Sequence, residues 1–498
     1  MKKTILAIVL PMLAFSSCEK WLAATSSTQF QAETIYETAE GFHDALSGVY
    51  INMGSLNAYG GNATWRYNDL VVYPYSAFTT AKMANFQRRN YQNSFVKDEI
   101  FNTWLAFYNC LANVNIILDN IDSHRSVFST QSEFNWVKGE CLALRAYLHF
   151  DLLRMFGSEE WSGENAGKLT IPYVTSYSRG ITPQLSYAET EKLLFEDMET
   201  ALELLGDDPI RGKVPDNFGY TVNADGYWDN RTTHLNYLAV KALFARVYQW
   251  KHEYAVAGRM AKEALDEALE AAAVSWVDVD AQLAETSNDR KDWTFLTEHL
   301  FSLEVTGLYN NAANCKLIPI GSSTAGDDYK LDKTFYDVDL FGSMSLSSLE
   351  DRRGTAFLLH YFDGQYVSYK LFGTGSAIYR NRMPMVKLSE LYYIAAEAAA
   401  LEGDYVLATD YINEVRRHRG ISSDMASSSK VLNTLHLEYM KEFINEGQYF
   451  YWLKHSKLQY QPDATMGTSP IVSNPIKEQE LVFPYPDEEI HYGRKQEL

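Results

Sequence analysis

From Lys97 to Asn120 the apolar and aromatic side chains fall at Ile100, Phe101, Trp104, Phe107, Tyr108, Leu111, Val114 and Ile117. That i, i+3, i+4, i+7 spacing puts them on one side of an α-helix, which must then be covered by another element. The same period runs from Ser132 to Phe156 and stops at Gly157. A capping box at Ser186-Tyr187-Ala188-Glu189 opens another helix toward Leu205, before Gly206. Thr232–Trp250, Tyr254–Ala273, Lys387–Glu402, Asp404–Arg419 and Val431–Lys454 complete the set.

Several of these helices come in pairs joined by short turns. Leu388–Leu401 and Val406–Arg417 flank Gly403-Asp404-Tyr405, and His234–Trp250 and Tyr254–Leu269 flank Lys251-His252-Glu253. Repeated two-helix units of about 34 residues are the signature of tetratricopeptide-like arrays. The expected fold is therefore mainly α, a tetratricopeptide-like helical-hairpin scaffold carrying a long loop-rich, partly β elaboration. We read residues 18–498 as a single domain with its scaffold at about 30–50, 97–156, 186–275 and 386–455. The loop-rich, ligand-facing parts are 52–95 and 280–385, where Leu300–Val305 and Gln365–Leu371 are strand-like. Irregular stretches of that length are uncommon unless functional.

With 46% apolar and 22% charged residues the chain is neither disordered nor fibrous. A net charge of −20 argues against nucleic acid, which requires clustered Lys and Arg, and disfavours polyanionic ligands. Aromatic content is high: 10 Trp, 34 Tyr and 25 Phe make 14% of the chain. That exceeds what a core of this size requires and predicts rings at a surface.

At the N-terminus, Lys2-Lys3 precede an apolar run from Thr4 to Phe15, followed by Ser16-Ser17 and Cys18. The run is too short to span a bilayer, which needs about 20 apolar residues, so residues 1–17 read as a signal peptide. Cys18 after two small residues resembles a bacterial lipobox, with Phe15 where Leu is usual. It is the expected lipidation site; the alternative is an ordinary secretory signal with an incidental cysteine. Cys110, Cys141 and Cys315 show no metal-ligand or disulfide spacing. Inert buried thiols are expected, the one conceivable bridge being Cys110–Cys141.

Lys138–Gly157 (KGECLALRAYLHFDLLRMFG) resembles the GEAxxLRAxxYFDLxRxYG segment of the SusD/RagB family. Further resemblances follow in order: Phe42–Tyr50, Trp104–Asp122, Ala242–Tyr248, Leu391–Gly420, Glu438–Lys454 and Phe483–Ile490. Tyr439, Lys441, Gln448 and Tyr451 depart from the family pattern, which implies altered local stability rather than altered ligand choice. The resemblance implies a lipid-anchored outer-membrane protein facing the cell exterior. It would capture an oligosaccharide or polysaccharide and pass it to a SusC-like TonB-dependent transporter. A peptide ligand and a surface glycoside hydrolase are the alternatives.

No HExxH, GxSxG, Walker or dinucleotide-binding motif is present, and the histidines are scattered, so no catalytic residue, metal site or cofactor is expected. Glu438, Glu442 and Glu446 could be taken for a glycosidase acid–base pair, but read better as a structural stripe paired with Arg or Lys. The segment of functional character is Tyr59–Tyr91, where rings without helical or strand periodicity alternate with amides and charges. A ring face beside fixed polar groups suits a sugar, whose C–H face lies on the ring while its hydroxyls hydrogen-bond. The expected ligand-binding residues here are Trp65, Tyr67, Asp69, Tyr73, Tyr75, Arg88 and Tyr91. Tyr309 and Asn310 join them through the family resemblance, with Trp293 and Asn311 beside them. Tyr227-Trp228-Asp229-Asn230 is a poorer option.

Overall fold

All but one of the helices read from periodicity form as single elements, and side-chain caps open several of them. The computed structural model describes residues 35–78, 80–212, 226–317, 329–341, 350–354, 357–362, 364–373, 378–456 and 476–498. The expected signal peptide, residues 1–17, and Cys18 lie outside them. Helix α1 (Ala39–Met53) starts where the Thr38 hydroxyl accepts from Gly41 N, and α2 (Ser94–Ile121) where Asn93 accepts from Phe95 N. Thr130 caps α3 (Gln131–Phe156), which ends at Gly157. The expected capping box opens α4 (Tyr187–Leu204), with Glu189 Oε2 accepting from Ser186 N at 2.9 Å. Asn236, rather than Thr232, starts α5 (Tyr237–Trp250), because its side chain accepts from Ala239 N. Helix α6 (Tyr254–Glu270) follows after a three-residue turn.

The chain then leaves the helical stack for strands β1 (His299–Glu304), β2 (Leu359–Phe362), β3 (Gln365–Ser368) and β4 (Arg382–Lys387). Strands β2 and β3 form an antiparallel hairpin. Strands β1 and β4 pair antiparallel from His299↔Lys387 to Glu304↔Arg382, so the two ends of the elaboration close on each other. Helices α7 (Leu388–Leu401), α8 (Tyr405–Arg417), α9 (Val431–Glu442) and α10 (Gln448–Ser456) complete the scaffold. Helices α1 to α8 pack each on the next, and α7 lies directly on α6 although the whole elaboration separates them in sequence. Their approach is close: a Cβ at Gly258 on α6 would meet Ala398 Cβ on α7 at 2.7 Å.

Helix α3 is buried on all sides from Gly139 to Phe156, so its polar residues need internal partners. Glu140 Oε1 pairs with Arg231 at 2.5 Å, and Glu140 Oε2 accepts from the Tyr50 hydroxyl at 2.9 Å. Arg145 holds both oxygens of Asp197, at 2.7 and 2.6 Å. Asp151 pairs with Arg154 and accepts from the Tyr59 hydroxyl at 2.7 Å. The residues that make this segment recognisable are thus the ones that lock α3 to its neighbours. Cys110 and Cys141 are both buried and free.

The expected helix Val431–Lys454 is broken into α9 and α10. Asn445 and Gly447 adopt left-handed backbones, with φ of 64° and 77°. Their amides donate to one buried carboxylate, Asp69, at 2.6 Å (Asn445) and 3.1 Å (Gly447). A Cβ on Gly447 would sit 2.7 Å from both Ala63 O and Thr64 Cα. Gly447→Ala is therefore expected to cost well over 1 kcal/mol in urea unfolding, combining backbone strain with a clash. Gly163→Ala, also at positive φ but facing open space, should cost only about 1 kcal/mol.

His149, at 1% exposure, donates from Nδ1 to Arg145 O at 2.9 Å and accepts at Nε2 from Val174 N at 2.9 Å. That pairing fits only the neutral ring, and burial pushes its pKa down to about 3. The unfolded ring takes up its proton near pH 6.5, whereas the native ring resists it, so stability falls as pH drops below 6.5 toward 3. His149→Phe, with no nitrogen to charge, should show a shallower fall in thermal midpoint between pH 6.5 and 4 than the natural chain.

Candidate functional site

The early aromatic segment does not form a landing surface. Trp65, Tyr67, Asp69, Tyr73 and Tyr75 are each 0–1% exposed, which corrects the expectation that they meet a ligand. The physical reason is that the segment is wedged between α2, the α9–α10 break and residues 329–341. Trp65 Nε1 donates to Gly60 O at 3.2 Å, and Tyr67 stacks on Phe86 with centroids 4.0 Å apart. The Tyr73 hydroxyl donates to Met440 O at 3.0 Å, and that of Tyr75 accepts from Asn445 Nδ2 at 3.3 Å. Turn hydrogen bonds such as Ala63 N to Ala58 O satisfy the backbone, so the rings bury without any regular period.

The remaining residues of the set are dispersed. Arg88 is exposed, and half-buried Tyr91 donates its hydroxyl to Glu480 O at 2.5 Å. Asn310 is exposed, while Tyr309 packs edge-on to Phe372 at 5.7 Å. Phe372 continues a stack through Tyr369 to His360, at 4.7 and 3.7 Å. Trp293, 2% exposed, lies behind it on Phe357 at 4.7 Å. These rings cover one another's faces. Trp228 is also buried, edge-on to Trp136. Trp65→Ala should therefore cost about 3–5 kcal/mol of unfolding free energy, as large-to-small core changes do. Ligand affinity per folded molecule should stay unchanged in the same preparation.

An open site lies instead along the outer face of α2. The inner stripe of α2 faces the core, and a second stripe at Asn102, Leu105, Ala106, Asn109, Ala112, Asn113 and Ile116 recurs at helical spacing on the outside. With Asn52 in the last turn of α1, Ser55 and Asn57 beyond its end, and Tyr177, it lines a groove of about 570 Å³. A second cleft of about 350 Å³ shares Leu105, Ala112 and Tyr177 with the groove and continues past Tyr108, Pro172, Ile181 and Tyr492. Both lie within the usual size of ligand sites.

Hydrogen bonds from α2 fix the wall opposite. The Tyr108 hydroxyl donates to Pro172 O at 2.9 Å, Asn115 Nδ2 to Val174 O at 2.9 Å, and Tyr177 N to Asp119 Oδ2 at 2.8 Å. Burial pushes the Tyr108 hydroxyl well above its ordinary pKa, so it remains a donor. At the far end Trp104 Nε1 donates to Glu489 Oε1 at 3.1 Å, Arg494 pairs with Glu489, and Arg494 Nη2 donates to Thr182 O at 2.8 Å.

The groove has no Asp, Glu, Lys or Arg in its lining, in a chain of net charge −20. Among the described residues, the amides of Asn52, Asn57, Asn102, Asn109 and Asn113 have no protein hydrogen-bond partner. Each offers donors and an acceptor toward the groove, and Tyr177, 56% exposed, supplies a ring beside them. The arrangement can hold a neutral ligand rich in hydroxyl or amide groups. The sequence carried one signal for it: Asn102, Asn109 and Asn113 share a helix face where solvent-exposed positions usually hold Lys or Glu.

The carboxylates of the α9 stripe are engaged. Glu442 pairs with Arg419 at 2.8 Å and Lys387 at 3.0 Å, and Glu438 pairs with Arg353 at 2.7 Å, as the structural reading of that stripe expected. Glu159, Glu160 and His252 bring potential metal-ligand atoms within 4.8 Å of one another. There His252 Nε2 lies 3.2 Å from His455 O and 3.6 Å from Glu159, and Glu160 accepts from Ser162 N at 3.3 Å. That is a hydrogen-bonded cluster whose residues line neither the groove nor the cleft.

Two family profiles match the chain. One, described as SusD-like, starch-binding associating with outer membrane, covers residues 21–215; the other, the SusD family, covers 346–491. No curated protein matches in sequence. A crystal structure of a SusD superfamily protein from Bacteroides thetaiotaomicron is similar at TM-score 0.71 and 20% identity, over 91% of this chain and 98% of that one. A SusD superfamily protein from Bacteroides vulgatus gives 0.67 and 21%, over 92% and 98%. A SusD-like carbohydrate binding protein from the same organism gives 0.65 and 18%, over 91% and 96%. Among the described residues no helix is long and apolar enough to cross a membrane. The two profile matches, on a helical stack of the same fold as these structures, show that the chain belongs to the SusD/RagB family of carbohydrate-binding, surface-associated outer-membrane proteins.

Proposed function

We propose that this protein binds neutral oligosaccharides in the groove along α2 and passes them to a SusC-like TonB-dependent transporter while lipid-anchored through Cys18 on the cell exterior. The observation that carries the binding step is an uncharged lining with five free amides beside the exposed ring of Tyr177. Sugar hydroxyls exchange hydrogen bonds with the amides, and a sugar C–H face lies on the ring. Family membership supports the glycan class, and the sequence before residue 18 supports the anchor. Arg88 and Asn310 are exposed but lie outside the groove lining and have no part in this reading.

Affinity at one such site should be modest, since each sugar hydroxyl gives up water for every bond it gains. Tethering beside a transporter compensates by raising the effective concentration. Affinity gels containing neutral polysaccharides, followed by calorimetry with their oligosaccharides, test the proposal. Tyr177→Ala, or Asn109→Ala with Asn113→Ala, should weaken binding about fivefold or more, on the order of 1 kcal/mol, with an unchanged thermal midpoint. Undiminished glycan binding in both variants would overturn the assignment of the groove. Retention of a peptide pool but no glycan would transfer the site to peptides. Reducing-end release that stops when one carboxylate is replaced would make the protein a hydrolase.

A further inference from the structure

The groove and the neighbouring cleft differ in chemistry although they share a seam. On the groove side α2 presents Asn102, Asn109 and Asn113; on the cleft side the lining includes Phe101, Leu105 and Tyr108, with Ile181 opposite. Leu105 and Ala112 belong to both compartments and stand seven residues apart, about two helical turns along the same line of the helix. A side chain no larger than a methyl group at Ala112 does not wall one compartment from the other. Tyr177 borders both.

Two of the cleft's apolar residues are conspicuously wet. Ile181 is 74% exposed and Leu105 is 44% exposed, on a chain that buries most of its other large aliphatic side chains. Apolar surface gathered in a concave site and adjoining unpaired amides marks a place for a ligand with an apolar part. The charged residues in the cleft lining, Glu489 and Arg494, pair with each other and with Trp104 and Thr182. The cleft therefore adds little demand for a charge on the ligand.

We infer that the preferred ligand is an amphipathic neutral glycoconjugate, its sugar in the amide groove and an alkyl, acyl or aryl substituent in the cleft beyond Tyr177. This rests on the proposed glycan reading and extends it from sugar to substituted sugar. Each buried methylene should tighten binding about fourfold.

The experiment compares methyl and n-octyl β-glucosides, and methyl and n-octyl β-maltosides, by calorimetry below micelle-forming concentration. The protein is the natural chain, Ile181→Ser or Tyr492→Ser, whose replaced side chains line the cleft but not the groove and are 74% and 71% exposed. Both replaced side chains are largely solvated, so the fold should persist, and thermal midpoints check it. The expected result is at least tenfold tighter binding of the octyl member, with both serine variants removing most of that gain and leaving the methyl glycoside unaffected. Equal affinity for octyl and methyl members, or a gain that survives both substitutions, overturns the inference while oligosaccharide binding in the gels keeps the broader proposal. Failure of every sugar, free or substituted, removes both.

Discussion

Around the end of α9 five carboxylates and four cations meet in the interior. Arg419, with no exposed surface, holds Glu298 at 2.6 Å and Glu442 at 2.8 Å. Lys387 at the end of β4 spans Glu442 and Glu446 at 3.0 and 2.9 Å, and Lys370 adds a second cation to Glu446. Arg353 takes Asp351 at 2.9 Å and Glu438 at 2.7 Å. Burial would raise the Glu442 carboxyl, but Arg419 and Lys387 hold it well below the usual range. Burial pushes Lys370 down to about 8, against the pull of Glu446. Removing one member of such a lattice leaves an unpaired buried charge, typically at a cost of about 3–5 kcal/mol. Its members come from before β1, the 350–354 segment, after β3, the end of β4, just after α8, α9 and the turn after it. The elaboration, poor in regular structure, is therefore tied to the helices by charge as well as by apolar residues such as Phe301, Leu331 and Phe335 that it adds to the common core.

That anchoring has a consequence for the aromatic segment near the N-terminus. With α9 held at Glu442, the chain turns sharply through Asn445 and Gly447 and presents two amides to Asp69. Asp69 brings Trp65–Tyr75 inside with it, and the rings fill the space between the helical stack and the elaboration. The open concave surface is consequently left to the outside of α2, where the loop through Tyr177 and residues Glu489–Arg494 build walls against the helix. The same helix serves the core with one stripe and the groove with the other.

Much of the scaffold was legible in the sequence because helical periodicity, capping residues and terminating glycines are local. The Ser186–Glu189 box and the stop at Gly157 appear where they were expected, and the helix pair around Gly403 forms as read. The break at Asn445 was not legible: its cause is a carboxylate nearly four hundred positions earlier in the chain. The candidate site was misread for a related reason. Aromatic and polar residues alternating without a period suit an open platform and an irregular buried wedge equally well. Only their neighbours decide, and for Tyr67 and Tyr73 these are Phe86 and Tyr449.

By itself the sequence determined the helical class of the fold, the order of its hairpins, the pairing role of the glutamate stripe and the family, since each depends on spacing within a few turns of chain or on a contiguous motif. The tertiary structure alone decided which rings are buried and where a ligand can lie. The groove joins asparagines at and just after the end of α1, one face of α2 and the loop carrying Tyr177, and solvent exposure of a side chain is a property of what packs against it, not of the residues beside it in the chain.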